Sequence, residues 1–336
     1  MITRHPFRKS FFALLIVCVL PSVALAQMPQ FDSLYVFGDS LADNGNVLIQ
    51  SRALGADPPV PPSVSPHQTY FDGRFSNGYI GFEYLWQSLT GKAPGGAEGL
   101  KPFLASPVIR GAGAIDFAFG GTGTADLDQT PGGMWAPGLK GQIELFRMAL
   151  RGKKPSDGAL YAIATGANDY RVDQFNVPMD RKKVVRNIED GIVTLYELGA
   201  RHVVVLDLPD LGLIPANAGD PTQSLISSAH NELLYDRMAK LQSRFPKLHL
   251  ITVQLDPLFQ ALLVSMGPPV PALAVLVPWM PYAPVCLFVD PLLCQDVPAT
   301  LFNMDLHFLF WDIVHPTTEA HHRLGDYIYE QLVDSY

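Results

Sequence analysis

Gly38-Asp39-Ser40-Leu41 follows the apolar run Leu34-Tyr35-Val36-Phe37, and Asp312-Ile313-Val314-His315 lies far along the chain, near its C-terminus. A serine hydroxyl becomes a useful nucleophile when an imidazole takes its proton and a carboxylate orients that imidazole; these groups must meet in space, not in sequence. Ser40 is therefore the candidate nucleophile, His315 the general base and Asp312 its orienting acid. The chemistry this trio performs is acyl transfer from an ester. Each residue also has a plainer reading. An isolated Ser at such a corner usually caps a helix, and Asp39 reads as an acceptor for loop amides.

Attack on an ester puts negative charge on the former carbonyl oxygen, and each donor aimed there is worth about 10² to 10³ in rate. Two segments offer such donors. Phe117-Ala118-Phe119-Gly120-Gly121-Thr122-Gly123 is a glycine-rich turn after an apolar strand, where a backbone N–H can approach a substrate with no Cβ in the way. Gly166-Ala167-Asn168-Asp169 ends another strand with a side-chain amide. Taken singly, the first is an ordinary turn and the second a helix cap.

The elements that must position these groups alternate along the chain. Leu34–Phe37, Leu160–Ala164, His202–Leu206 and Leu248–Val253 read as buried strands; Tyr79–Leu89, Gln142–Leu150, Met179–Leu198 and Ser224–Phe245 carry helical patterns. Such alternation predicts an α/β fold with a central parallel sheet flanked by helices, its site beyond the carboxyl ends of the strands. Ser40 and Asn168 both directly follow strands and can share one crevice.

In order, these pieces resemble the GDSL, or SGNH, hydrolase family. The first block is Phe37-Gly38-Asp39-Ser40-Leu41-Ala42-Asp43-Asn44-Gly45-Asn46, the second Phe117 to Thr122, the third Gly166-Ala167-Asn168-Asp169 and the last Phe310-Trp311-Asp312-Ile313-Val314-His315-Pro316-Thr317. Gly73-Arg74-Phe75-Ser76-Asn77-Gly78 looks like the segment after the first block in longer bacterial and plant-like members. The resemblance implies a three-layer, flavodoxin-like SGNH fold, catalytic Ser40, Asp312 and His315, and oxyanion donors from Ser40, Gly121 and Asn168. It implies no cofactor and no metal. Two departures stand out: Asp116 occupies a position where many relatives have Asn, and the doubled Gly120-Gly121 leaves either glycine open as donor, with Gly121 favoured because Thr122 follows it. The family includes esterases, lysophospholipases, lipases and acyltransferases.

The start of the chain bears on location. Arg4, Arg8 and Lys9 precede an uncharged stretch from Ser10 to Ala26, and Ala24-Leu25-Ala26 supplies the small residues of a signal-peptidase site. Residues 1–26 are predicted to be a signal peptide and 27–336 a single hydrolase domain, exported to the periplasm or secreted. A retained anchor is the competing reading, but the apolar core spans only about ten residues before Pro21, against roughly 20 for a spanning helix. Cys18 leaves with the leader, and the remaining pair, Cys286 and Cys294, is expected to form a disulfide in an oxidising compartment; two buried thiols are the alternative. A net charge of -8 with no basic cluster in the mature chain argues against nucleic-acid binding. Lys153-Lys154 and Arg181-Lys182-Lys183 read as solvated helix ends, and His321 and His322 as surface histidines of a C-terminal helix. His67, His202, His230, His249 and His307 have no motif around them and read as structural. A monomer is expected.

From Pro257 to Val289 the chain carries no charge and many prolines, which excludes a regular spanning helix. That stretch is either a wall or lid for an acyl chain with transient membrane-surface contact, or an ordinary core-packing excursion. The first favours a lipid ester substrate such as a lysophospholipid, with acyl transfer to an alcohol within reach. A short-chain carbohydrate or aryl-ester deacetylase, and a non-catalytic binding protein on a hydrolase fold, are the competing functions. Because His315 must be neutral to act as base, hydrolysis is expected to fall below about pH 6 to 7.

Overall fold

The apolar runs become strands because they are buried on both faces, as a parallel sheet between helical layers requires. A computed structural model describes residues 29–65, 67–130, 132–171, 179–217, 220–266 and 309–336. In chain order its elements are β1 (Ser33–Gly38), α1 (Asn46–Ala53), β2 (Ser63–Val64), β3 (His67–Gln68), α2 (Gly81–Thr90), β4 (Lys101–Pro102), β5 (Gly113–Asp116), β6 (Asp128–Gln129), β7 (Trp135–Ala136), α3 (Leu139–Leu150), β8 (Ala159–Ala164), α4 (Arg181–Leu198), β9 (His202–Leu206), α5 (Pro221–Arg244), β10 (His249–Val253), α6 (Asp256–Ser265) and α7 (Thr318–Ser335). Six strands form one sheet in the order β10-β9-β8-β1-β5-β4, and every neighbouring pair is parallel. The leader, Cys286, Cys294, His307 and most of the uncharged stretch lie outside the described residues.

Strand alternation separates two cores. Tyr35, Phe37, Tyr161, Ile163, Val203 and Val205 face α3, α4 and α5, meeting Phe146, Ile188 and Leu234. Leu34, Val36, Leu160, Ala162, Val204 and Leu206 face the other way, toward Phe82, Leu85 and Trp86 of α2 and Ile328 and Leu332 of α7. The three layers predicted from the alternating pattern are thus present. Helices α2 and α7 pack closely because Gly325 carries no side chain: a Cβ there would stand 2.6 Å from Tyr84 Cβ. Truncating a fully buried ring such as Phe37 or Phe146 would cost about 3 to 5 kcal/mol, from lost burial and the cavity left behind.

Two boundaries move for local reasons. Helix α3 begins at Leu139, three residues before the expected start. Helix α5 begins at Pro221, where proline suits the first turn and the Asp220 side chain accepts from the Thr222 N–H. Lys153, Lys154 and Arg181–Lys183 are exposed, as expected. His321 is not a surface histidine. It is 1% exposed, its Nδ1 accepts from the Gly81 N–H at 3.2 Å, and burial pushes its pKa down to about 3. It belongs to the inward stripe of α7 with Gly325, Ile328 and Leu332; only His322 faces solvent.

Candidate active site

The first turn after β1 carries Ser40, and several side chains hold that turn. Gln142 of α3 acts as a peptide surrogate for Gly38, accepting from its N–H and donating to its carbonyl, both at 2.8 Å. Gly38 leaves no room for a side chain, since a Cβ would meet the Ala164 carbonyl oxygen at 2.2 Å. Asp39 accepts from the Leu41 N–H at 3.1 Å, the structural role expected of it, and burial pushes its pKa up to about 6. Asp43, fully buried, accepts four backbone N–H groups: Gly45 and Asn46 on one oxygen, Val47 and Gly120 on the other. It therefore caps α1 and ties the first block to the glycine turn.

Ser40 Oγ lies 2.9 Å from His315 Nε2, and His315 Nδ1 lies 2.6 Å from Asp312 Oδ2. The carboxylate fixes the tautomer: Nδ1 carries the proton, leaving the Nε2 lone pair toward the serine. Asp312 Oδ1 accepts from the Val314 and His315 N–H groups, both at 2.7 Å. Burial alone would raise the Asp312 pKa, but the His315 ring and these donors outweigh it and hold the group down at about 2. Residues 275 positions apart in the chain are thus joined in one hydrogen-bonded line.

The glycine turn and the third block close on the same spot. Gly120 donates its N–H to Asp43 Oδ2 at 2.9 Å, which commits that amide. Among the described residues the N–H groups of Ser40 and Gly121 have no acceptor. Gly121 sits at φ 80, a left-handed conformation that favours glycine. Asn168 follows β8 on a short 3-10 turn, Ala167–Tyr170. Its Nδ2 donates to the Thr122 carbonyl at 3.0 Å, while its Oδ1 accepts from Arg171 at 2.7 Å. These two bonds orient the amide with its nitrogen toward the glycine turn. Asp169 joins the same two segments, taking the Thr124 N–H and Oγ1–H at 3.0 and 2.9 Å; burial pushes its pKa up to about 7.

Asp116, the departure from the usual Asn, is fully buried and accepts from the Asn44 and Ala118 N–H groups at 2.8 and 2.7 Å. Burial and the Asp43 charge push its pKa well up. Its two oxygens meet two donors, so a carboxyl serves there. Among the described residues no group of three or more His, Cys, Asp or Glu could hold a metal ion.

The GDSL-like lipase/acylhydrolase profile matches residues 34–328. This chain belongs to that family. The GDSL relatives include a phosphatidylcholine-sterol acyltransferase of Aeromonas hydrophila, 27% identical with 95% of both chains covered. A GDSL esterase/lipase of Arabidopsis thaliana is 28% identical, covering 90% of this chain and 94% of its own. Among solved structures, a lipolytic G-D-S-L family protein of Veillonella parvula aligns over 89% of this chain and 96% of its own at 12% identity, TM-score 0.41.

Of the residues read from sequence, hydrogen bonds join Ser40, His315 and Asp312, and Asn168 is bonded to the Thr122 carbonyl, next in sequence to Gly121. Sequence reasoning missed Asp43, Gln142, Tyr70 and the Arg74–Glu83 pair. The signal for Arg74 was the segment 73–78, whose resemblance to family members carried no role for it. Arg74, nearly buried, makes a bidentate contact with Glu83 at 2.6 and 3.1 Å, and Phe75 packs against the His315 ring at 5.1 Å between centroids. Ser76 Oγ donates to the Pro316 carbonyl at 3.0 Å, and Asn77 Oδ1 accepts from the Thr318 N–H at 2.8 Å.

Proposed function

We propose that the protein is an exported serine esterase that cleaves acyl esters of lipids, lysophospholipids among them, through an acyl-Ser40 intermediate. The observation that carries this reading is the line Ser40–His315–Asp312 ending beside unclaimed N–H groups. In the first step Ser40 Oγ bonds to the ester carbonyl carbon while its proton passes to His315 Nε2. The new oxyanion rests against the Ser40 and Gly121 amides and Asn168 Nδ2. When the C–O bond to the alcohol breaks, His315 returns the proton to the departing oxygen. Water then repeats the sequence on the acyl-enzyme, releasing the acid and restoring the Ser40 hydroxyl. An alcohol in place of water gives a transfer product.

Two features support a lipid acyl group. An apolar pocket beside the trio is lined by Leu41, Leu258, Phe259, Phe310, Val314 and Pro316, and a relative covering nearly the whole chain is a phosphatidylcholine-sterol acyltransferase. Export rests on the basic, then apolar, then small-residue order of residues 1–26.

The test is mass spectrometry after a fluorophosphonate probe, followed by a chain-length series of p-nitrophenyl and lysophospholipid esters. The expected result is an adduct on the Ser40 peptide, lost in Ser40→Ala and His315→Ala, with turnover maintained on long acyl chains. Activity confined to acetyl and propionyl esters would replace the lipid reading with a deacetylase. Folded wild-type protein that takes no adduct would overturn the esterase reading itself.

A further inference from the structure

The segment Thr69–Gly78 touches the loop of Asp312 and His315 at several points, and one of these contacts reaches the trio itself. Tyr70 donates its hydroxyl to Asp312 Oδ2 at 2.6 Å, the same oxygen that faces His315 Nδ1. Building on the acyl-transfer reading above, we infer that Tyr70 is a positioning residue of the reaction, a fourth member of the line Ser40–His315–Asp312 that fixes and partly neutralises the Asp312 carboxylate.

Counting donors supports this. Asp312 Oδ1 takes two backbone N–H groups from its own loop, which hold the carboxyl to its own turn. On Oδ2, His315 Nδ1 is the only other donor among the described residues. The tyrosine bond is therefore what ties the far end of the carboxyl to a separate part of the fold, across 242 positions of sequence. Tyr70 is itself buried, and burial and the Asp312 charge both push its pKa up, so its proton stays on the phenol throughout the working range of an imidazole base.

A buried phenol needs a partner in any fold, so the bond alone does not separate positioning from simple satisfaction. The anchoring of the segment does. The Tyr70 N–H donates to the Pro62 carbonyl at 2.9 Å, the Phe71 N–H to the Ser76 carbonyl at 2.9 Å and the Arg74 N–H to the Phe71 carbonyl at 2.8 Å, and Arg74 is locked to Glu83. The loop is held without the hydroxyl. Removing that oxygen therefore tests what it does to Asp312 and leaves the wall in place.

Other charges near the imidazole are few. Asp39 interacts electrostatically with His315 and with Arg171, and His321, from α7, faces His315 as a neutral ring. From the base loop itself comes Asp312, and from the Thr69–Gly78 wall comes Tyr70, with Phe75 packed on the ring as an uncharged neighbour. Of these groups, Tyr70 alone is an uncharged donor to the carboxylate that steadies the imidazolium.

The experiment is Tyr70→Phe, measured as pH profiles of kcat and kcat/KM alone and in an Asp312→Asn background, with thermal melting as the fold control. Loss of a hydrogen bond to a charged group predicts kcat lower by about tenfold with KM unchanged. Without the phenol, Asp312 carries more of its charge toward the imidazolium, so the acid limb of kcat/KM moves to higher pH. In Asp312→Asn the same change should cost much less, since the effect runs through that carboxylate. Superimposable wild-type and Tyr70→Phe profiles, or full additivity with Asp312→Asn, would overturn the inference. Fluorophosphonate labelling separates the two levels: a labelled Ser40 with no Tyr70→Phe effect sinks this inference alone, while an unlabelled wild type sinks the esterase reading. In that second case the imidazole NMR titration of His315, compared between wild type and Tyr70→Phe, still decides whether Tyr70 acts on Asp312: a shift upholds the link, and identical curves remove it.

Discussion

Ser40 and His315 reach the same point from supports of opposite kinds. Ser40 leaves β1, whose six residues are all buried, and its turn is bound into the sheet by Gln142, Asp43 and the Ala164 carbonyl. Asp312 and His315 stand on a loop closed by the isolated bridge of Phe310 with Pro316, by the Trp311 N–H on the His315 carbonyl at 2.7 Å and by the Ala216 N–H on the Ile313 carbonyl at 2.8 Å, with Ile313 and Val314 exposed at its tip. Across from it, Tyr70, Ser76 and Asn77 add side-chain bonds to Asp312, Pro316 and Thr318. The Ser40 turn is anchored on a buried strand of the central sheet, the His315 loop on its own turn and on side chains from residues 70–77. Damage to the first region should therefore show in folding, and damage to the second in turnover.

Four changes would break or sharpen this contrast. Ser40→Ala should lower ester hydrolysis by at least about 10⁴-fold with melting unchanged, because the group lost is the nucleophile of a unit that acts together; an esterase assay beside circular dichroism checks both halves. Asn168→Ala should cost about 10² to 10³ in kcat while Ser40 still takes the fluorophosphonate, more slowly. Gln142→Leu strands the Gly38 N–H in the interior, the Gly38 carbonyl keeping the Phe119 N–H, and should cost about 1 to 3 kcal/mol, against about 1 kcal/mol for Asn77→Ala, which removes only a cap on α7. Urea unfolding of both variants would show whether the nucleophile side is the more expensive to disturb.

The gentlest probe is pH. Asp39 and Asp43, pushed up to about 6, and Asp169, up to about 7, keep protons in the folded chain that they lose in the unfolded one. Their share of stability is complete below the ordinary carboxylate range and fades as pH rises through 6 to 7. Asp312, held at about 2, works the other way: its share is present above that range and lost as pH falls toward 2. The share of each of Asp39, Asp43 and Asp169 should thus decline from about pH 4 to pH 7, by no more than about 1.4 kcal/mol per pH unit, while His321 works against them, losing its share as pH falls below the ordinary histidine range. Asp169→Asn should remove that group's share, raising stability at pH 7 relative to pH 4 when both are read by urea unfolding; a difference equal to that of the wild type would contradict it.

The nucleophile side was also the more legible in sequence. β1, β8 and β9 are near-continuous apolar runs, and burial on both faces is written in their composition; β10, expected to be buried, is the edge strand, with only Val253 buried. β5 begins at Gly113 and β4 is only Lys101–Pro102, so neither carries a pattern, and their pairing comes from neighbours. Ser40, Asp312 and His315 could be read because their residue types and spacing are dictated by chemistry. Tyr70 could not, since its partner is 242 positions away and a phenol has no required spacing. His321 was misjudged by attending to its neighbour His322, although the spacing 321, 325, 328 and 332 is that of a helix face turned inward. That the Gly120 N–H is spent on the Asp43 carboxylate is a contact that no local pattern announces.

Phe75 lies between the glycine turn and the His315 ring: a Cβ on Gly120 would meet its ring at 2.3 Å, and the same ring packs on His315 and on Tyr70. For anyone reshaping this enzyme by directed evolution, positions 75 and 120 form one coupled choice. A larger residue at 120 becomes admissible only after the ring at 75 is trimmed, and that trimming frees the base, so libraries that randomise either position alone will sample mostly dead variants.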